Sequence, residues 1–169
     1  MKEHIFREEI LPFKDKLFRL ALRITLDREE AEDIVQDTLL KMWERREEWD
    51  KIQSLESFCM TICRNLALDR NGAARKNNLR LNEEMDSSTT FTTPLDELDA
   101  KMRIDALRRF IDGLPEVQRS IIQLRDNEGK AYSEIGEILR LNESQVKVYL
   151  HRARAKLREQ IAKYEQYGL

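Results

Sequence analysis

The chain has 169 residues, a length that suits one ordinary domain or two small ones. Charged residues supply 37% and apolar ones 41%, with only five glycines and three prolines, which disfavours a turn-rich β-sandwich and favours helices. Lys, Arg, Asp or Glu interrupts every apolar run well short of the about 18 residues that span a bilayer. The opening Met-Lys-Glu-His-Ile-Phe-Arg-Glu-Glu has no apolar leader core, so a cytoplasmic chain without membrane insertion is expected.

The formal net charge of −2 conceals an alternation of blocks. Residues 27–50 carry ten acidic and four basic side chains, whereas residues 51–80 carry two acidic and six basic. Residues 81–99 hold six acids and no base, and residues 147–163 hold six bases and one acid. Separate acidic and basic surfaces suit two kinds of partner, one basic and one anionic.

In chain order, the first expected element is an amphipathic helix over 5–25. Ile5, Phe6, Ile10, Phe13, Leu17, Leu20, Ala21 and Ile24 recur at three- and four-residue steps. Pro12 falls inside it and should start the main helix or kink an earlier turn. Asp27 is placed to cap a second helix, with Glu30 three residues on to complete a capping box. Ala31, Ile34, Val35, Thr38, Met42 and Trp43 then form its buried stripe. A third helix, from about Ser57 to Arg75, should bury Phe58, Ile62, Leu66 and the two cysteines, Cys59 and Cys63.

Helical period is lost from residue 76 onward, where Asn, Ser and Thr dominate and Pro94 intervenes. Residues 77–98 are therefore expected to be a flexible acidic linker between domains at 1–76 and 99–169. The second domain begins with a helix over 99–112, and Gly113 and Pro115 then stop one helix and start the next. A helix over 116–126 follows, closed by Asn127-Glu128-Gly129. Two more, at 133–140 and 143–162, are joined by only Leu141 and Asn142. The expected fold is all-α, with two small helical domains on a tether.

The last two segments have the attributes of a helix-turn-helix. Ile135, Ile138 and Leu139 bury the first helix, and Gly136 permits the close crossing. Leu141 plugs the turn, and Asn142 caps the second helix with Gln145 in the reciprocal position. Val146, Leu150, Ala153, Leu157 and Ile161 make one stripe of that helix. Ser144, Lys147, Val148, His151, Arg152 and Arg158 fall on the other side.

No arrangement points to catalysis. Neither a Gly-rich phosphate loop nor a nucleophile with a nearby base is present in the sequence. Cys59 and Cys63 stand four apart on one helix face and are expected in the core. His4 and His151 are too few for most metal sites, and His151 is better suited to a polar contact with DNA. No enzyme activity, cofactor or metal is expected.

Three motifs in order resemble the small two-domain sigma factors of bacterial RNA polymerase, the extracytoplasmic-function group. Asp27-Arg-Glu-Glu-Ala-Glu-Asp-Ile-Val-Gln-Asp-Thr-Leu-Leu-Lys-Met-Trp43 is similar to that family's polymerase-binding helix. Ser57-Phe-Cys-Met-Thr-Ile-Cys-Arg-Asn-Leu-Ala-Leu-Asp69 resembles its minus-ten element. Leu114 to Leu124, Tyr132 to Leu139 and Val146 to Leu157 resemble the domain that binds the minus-thirty-five element. Phe58 stands where the family commonly has Trp, Gly136 where Ala is usual, and Gln145 and Val148 where Thr and Ser are common.

The resemblance implies core RNA polymerase and promoter DNA as partners, and an anti-sigma factor as a common regulator. It implies polymerase contacts at Asp33, Gln36 and Asp37, and minus-ten contacts at Arg64, Asn65 and Arg70. Minus-thirty-five contacts would fall at Ser144, Gln145, Lys147, Val148, His151, Arg152, Arg154 and Arg158. It also implies that the acidic linker threads into the polymerase. The alternative is a stand-alone helix-turn-helix regulator, for which the acidic blocks have no obvious use.

Overall fold

The computed structural model describes the backbone of residues 1–78 and 95–167 and the side chains of residues 1–72 and 99–167. Within them the α-helices are α1 (Lys2–Ile5), α2 (Lys14–Thr25), α3 (Arg28–Glu44), α4 (Leu55–Asn78), α5 (Leu95–Asp112), α6 (Glu116–Ile122), α7 (Tyr132–Leu139) and α8 (Glu143–Tyr167). The expected linker is trimmed at both ends by α4 and α5, and its central part lies outside the described residues. Among the described residues no helix is long and apolar enough to cross a membrane.

The expected first helix is not continuous. A wide π turn at Phe6–Ile10 and a tight 3-10 turn at Leu11–Phe13 separate α1 from α2. Pro12 causes this, because it has no N–H to donate back along the helix and its ring crowds the preceding turn. From Lys14 the helix is regular and buries Leu17, Leu20, Ala21 and Ile24. It ends at Leu26, whose φ of 58° is left-handed although the residue is not glycine. A non-glycine residue held there is strained and persists only where its surroundings enforce it.

Asp27 caps α3 as expected, its Oδ1 accepting the Glu30 N–H at 3.1 Å. Only half of the box forms: the Asp27 N–H donates to Thr25 Oγ1 at 3.3 Å, and the Glu30 carboxylate reaches Arg70 of α4. Helices α2, α3 and α4 enclose Ile34, Val35, Met42, Cys59, Met60 and Cys63 among their buried side chains. Each such aliphatic residue contributes roughly 1.5–3 kcal/mol by leaving water. Burial pushes both cysteine thiols up to about 12, so they sit in the core as protonated groups. Cys63 Sγ donates weakly to the Leu17 carbonyl at 3.5 Å.

The carboxy-terminal half closes around Ile121, Leu124, Ile135, Ile138, Val146 and Leu150. It packs directly against the first half, α6 on α2 and α7 on α4. Arg119 of α6 is the key to this contact. It is 7% exposed, and its Nε donates to the Arg23 carbonyl at 2.6 Å and its Nη2 to the Ile24 carbonyl at 3.1 Å. Those carbonyls belong to the last turn of α2, where the helix itself supplies no donors. Its Nη1 holds the Leu114 carbonyl at 2.6 Å.

Ion pairs surround this staple: Arg19–Glu128 and Arg23–Asp112 at 2.8 Å each, Arg64–Glu116 at 3.1 Å and Lys130–Glu56 at 3.2 Å. Lys16 adds a second cation on Glu56 at 2.8 Å. Burial alone would raise the Glu56 carboxyl, yet the hydrogen bonds from Lys16 and Lys130 hold it below its ordinary value.

Candidate nucleic-acid interface

The turn between α7 and α8 is built by backbone geometry. Arg140 takes φ 58°, and the Leu141 N–H donates to the Gly136 carbonyl at 2.9 Å. A Cβ on Gly136 would stand 2.5 Å from the Leu141 carbonyl oxygen, so a larger residue fits here only if the turn shifts. Asn142 and Gln145 form the full reciprocal box: Gln145 N–H donates to Asn142 Oδ1 at 2.8 Å, and Asn142 N–H to Gln145 Oε1 at 3.0 Å. The Gln145 amide retains its NH2 for a further partner.

Val146, Leu150, Ala153 and Leu157 are buried along α8, and Ile161 is half-buried. Ser144, Gln145, Lys147, Val148, His151, Arg152, Arg154 and Arg158 are all exposed. The first turns of this face offer short or polar groups, and the middle offers guanidinium groups. Two neighbours were not evident from sequence. Asp126, on the turn after α6, pairs with Arg154, and this hydrogen bond raises the Arg154 pKa. Tyr132 places its ring under Arg125 at 4.3 Å and near Lys147 at 5.6 Å. Asp126 is 28 residues from Arg154, so no local pattern links them.

The start of α4 is organised differently. Asn65 is exposed, but Arg64 is 8% exposed and donates to Glu116 of α6. Beside it a groove of about 430 Å³ runs between Ser54, Ser57, Phe58 and Thr61 on one wall and Ser133, Glu134 and Glu137 of α7 on the other. The buried Ser57 hydroxyl in this groove has no hydrogen-bond partner among the described residues. Phe58 lies under the Arg45 guanidinium at 4.7 Å. Arg70 does not join Asn65 on an open face: its guanidinium is engaged by Glu30, Asp33 and Asp37 of α3. On α3, Asp33 and Gln36 are exposed and Asp37 is half-buried.

Residues 10–78 match the family model of sigma-70 region 2, and residues 104–157 that of sigma-70 region 4. The chain is 32% identical over 143 residues to the ECF RNA polymerase sigma factor SigL of Mycobacterium tuberculosis, covering 84% of this chain and 80% of SigL. It belongs to the ECF RNA polymerase sigma factors. SigW of Bacillus subtilis is 27% identical over 159 residues, spanning 88% of this chain and 84% of SigW. As an ECF sigma factor, the chain is a transcription-initiation factor, which sets aside the stand-alone regulator.

Solved structures share the fold. RpoE of Bartonella quintana, in complex with the anti-sigma factor NepR, superposes with a TM-score of 0.72 at 24% identity, covering 93% of this chain and 96% of RpoE. CnrH, in complex with the cytosolic domain of CnrY, gives 0.69 at 19% identity, covering 95% and 89%.

Proposed function

We propose that this ECF sigma factor docks on core RNA polymerase through the α3 face carrying Asp33, Gln36 and Asp37, and directs it to promoters read at two places. The observation that carries this reading is α8, a correctly capped second helix of a helix-turn-helix whose eight candidate contact residues are all exposed. Ser144, Gln145, Lys147, Val148 and His151 approach base edges of the minus-thirty-five element. Arg152, Arg158 and Arg154, the last braced by Asp126, meet phosphates. Phosphates supply affinity and salt dependence, and base edges supply sequence preference.

Asn65 and Arg64, with the adjoining groove, engage the minus-ten strand. Unstacking a base costs a few kcal/mol, which a pocket and cationic flanks must offset. Arg64 reaches DNA only when it gives up its contact with Glu116 of α6, so the two halves part on the promoter. The factor acts in the cytoplasm, and an anti-sigma protein that holds the halves together is the expected form of control. The linker 77–98, in large part outside the described residues, threads into the polymerase.

The test is in vitro transcription with purified core RNA polymerase on a library of randomised promoters, each joined to its own transcribed barcode, followed by sequencing of the barcodes. With the sigma factor added, the promoters whose barcodes are enriched should share two sequence blocks at fixed spacing. Equal and unpatterned transcription with and without it would refute the proposal.

A further inference from the structure

The resemblance that assigns polymerase contacts to α3 also placed Arg70 among the DNA contacts, yet its side chain lies elsewhere. Glu30, Asp33 and Asp37 stand at helical steps of three and four, so their carboxylates share one side of α3 and repel one another. Arg70 Nη1 donates to Glu30 Oε2 at 3.1 Å and lies 3.7 Å from Asp33 Oδ2, and Nη2 donates to Asp37 Oδ2. In each case one carboxylate oxygen is engaged. A carboxylate accepts through both of its oxygens, so the second oxygen of each group can still meet a partner. The carboxylates also stay accessible, with side chains 46%, 65% and 43% exposed for Glu30, Asp33 and Asp37.

We infer that Arg70 is a positioning residue of the polymerase-docking face: it holds Asp33 and Asp37 in one arrangement and makes no contact with minus-ten DNA. The inference rests on the α3 docking face proposed above. A guanidinium does this better than an ammonium, because its rigid fork bridges carboxylates on successive turns, whereas an ammonium is a point charge. Without Arg70 the three acids would splay and must be ordered again when the polymerase binds. The face would keep its negative charge, so encounter would not slow, but the complex would release sooner.

The experiment compares Arg70→Ala, Arg70→Lys and the double variant Asp33→Ala/Gln36→Ala with the unaltered chain. Association and dissociation rates on immobilised core RNA polymerase are measured, with a thermal melt of each free protein. Arg70→Ala should dissociate about two- to fivefold faster without a slower association, the range set by partly exposed ion pairs. Arg70→Lys should fall between it and the unaltered chain. Unchanged dissociation in Arg70→Ala, with faster dissociation in Asp33→Ala/Gln36→Ala, would overturn the positioning role and leave the docking face standing. Unchanged binding by Asp33→Ala/Gln36→Ala would instead remove the docking face itself. A lower melting temperature for Arg70→Ala with unaltered polymerase kinetics would make the residue purely structural and overturn the inference. So would intact kinetics with weaker binding of the assembled holoenzyme to a single-stranded minus-ten oligonucleotide.

Discussion

The two elements expected to face DNA treat their cations in opposite ways. On α8, Lys147 and Arg152 stand on an open face beside Arg154, which Asp126 holds, and the helix is buried along a single stripe. On α4, Arg64 is bonded to Glu116 of the other half and Arg70 to the acids of α3. A helix buried on one side shows its contact surface in its periodicity. A helix packed between α2, α3 and α7 does not, because a cation on its surface meets another element before it meets solvent. Among the described side chains of α4, basic charge thus serves internal contacts first, and DNA can claim Arg64 only by displacing Glu116.

The largest expected effect breaks the contact that keeps α4 covered. Arg119→Ala removes three hydrogen bonds from a buried guanidinium to main-chain carbonyls. Bonds to charged groups contribute about 1.5–3 kcal/mol each before compensation, and water entering the gap restores part of the loss. Urea unfolding should report a loss of about 3 kcal/mol, and small-angle scattering should report a more extended chain. A variant as compact and stable as the parent would mean that the staple does not hold the halves together.

Next in size is Gly136→Ala, which sharpens the α8 side of the comparison. The added methyl must displace the Leu141 carbonyl, 2.5 Å away, and overpacking of this kind costs roughly 1–3 kcal/mol. The melting temperature should fall, and binding to the minus-thirty-five block should weaken with it. A neutral effect would show that this turn relaxes at little cost.

The helix-turn-helix was legible because its determinants are local: a cap, a plug and a small residue lie within ten positions of one another. The capping box at Asn142 and Gln145 formed as its spacing implied. The box at Asp27 formed only in half, since Thr25 takes the Asp27 N–H and Arg70, distant in sequence, holds Glu30. Arg119 lies inside a stretch that the resemblance assigned to the second domain, and nothing near it indicates a reach to the end of α2. The stop of α2 fell at residue 25 as expected, but its cap was not legible: Leu26 takes a left-handed conformation normally signalled by glycine, its N–H closing on the Leu22 carbonyl at 2.8 Å.

A smaller effect should appear on acidification. The Glu56 carboxyl is held below its ordinary value near 4.5, so its contribution is complete above that pH and is lost as pH falls through the depressed value. Lys16 and Lys130 then lose their shared anion, and the contact between the halves loosens. The group is partly exposed, so the loss should stay under about 1 kcal/mol. A Glu56→Gln variant should be less stable at neutral pH and should lack this component of the acid response. An identical response below pH 4.5 in both proteins would assign it to other carboxylates.

The smallest change in binding, and the one that divides the two classes of contact on α8, is the salt dependence of Arg152→Ala. One phosphate contact fewer should reduce the slope of log affinity against log salt by about one, with sequence preference unaltered.

The most direct measurement of the central claim, that two separate faces read two promoter blocks, is the randomised-promoter selection repeated with Lys147→Ala and with Asn65→Ala. Lys147→Ala should relax one or two positions of the upstream block, where a good base contact discriminates by about 1–3 kcal/mol, and leave the downstream block intact. Asn65→Ala should do the reverse. If each substitution altered both blocks alike, or neither block changed, the assignment of α8 and α4 to separate DNA elements would be contradicted.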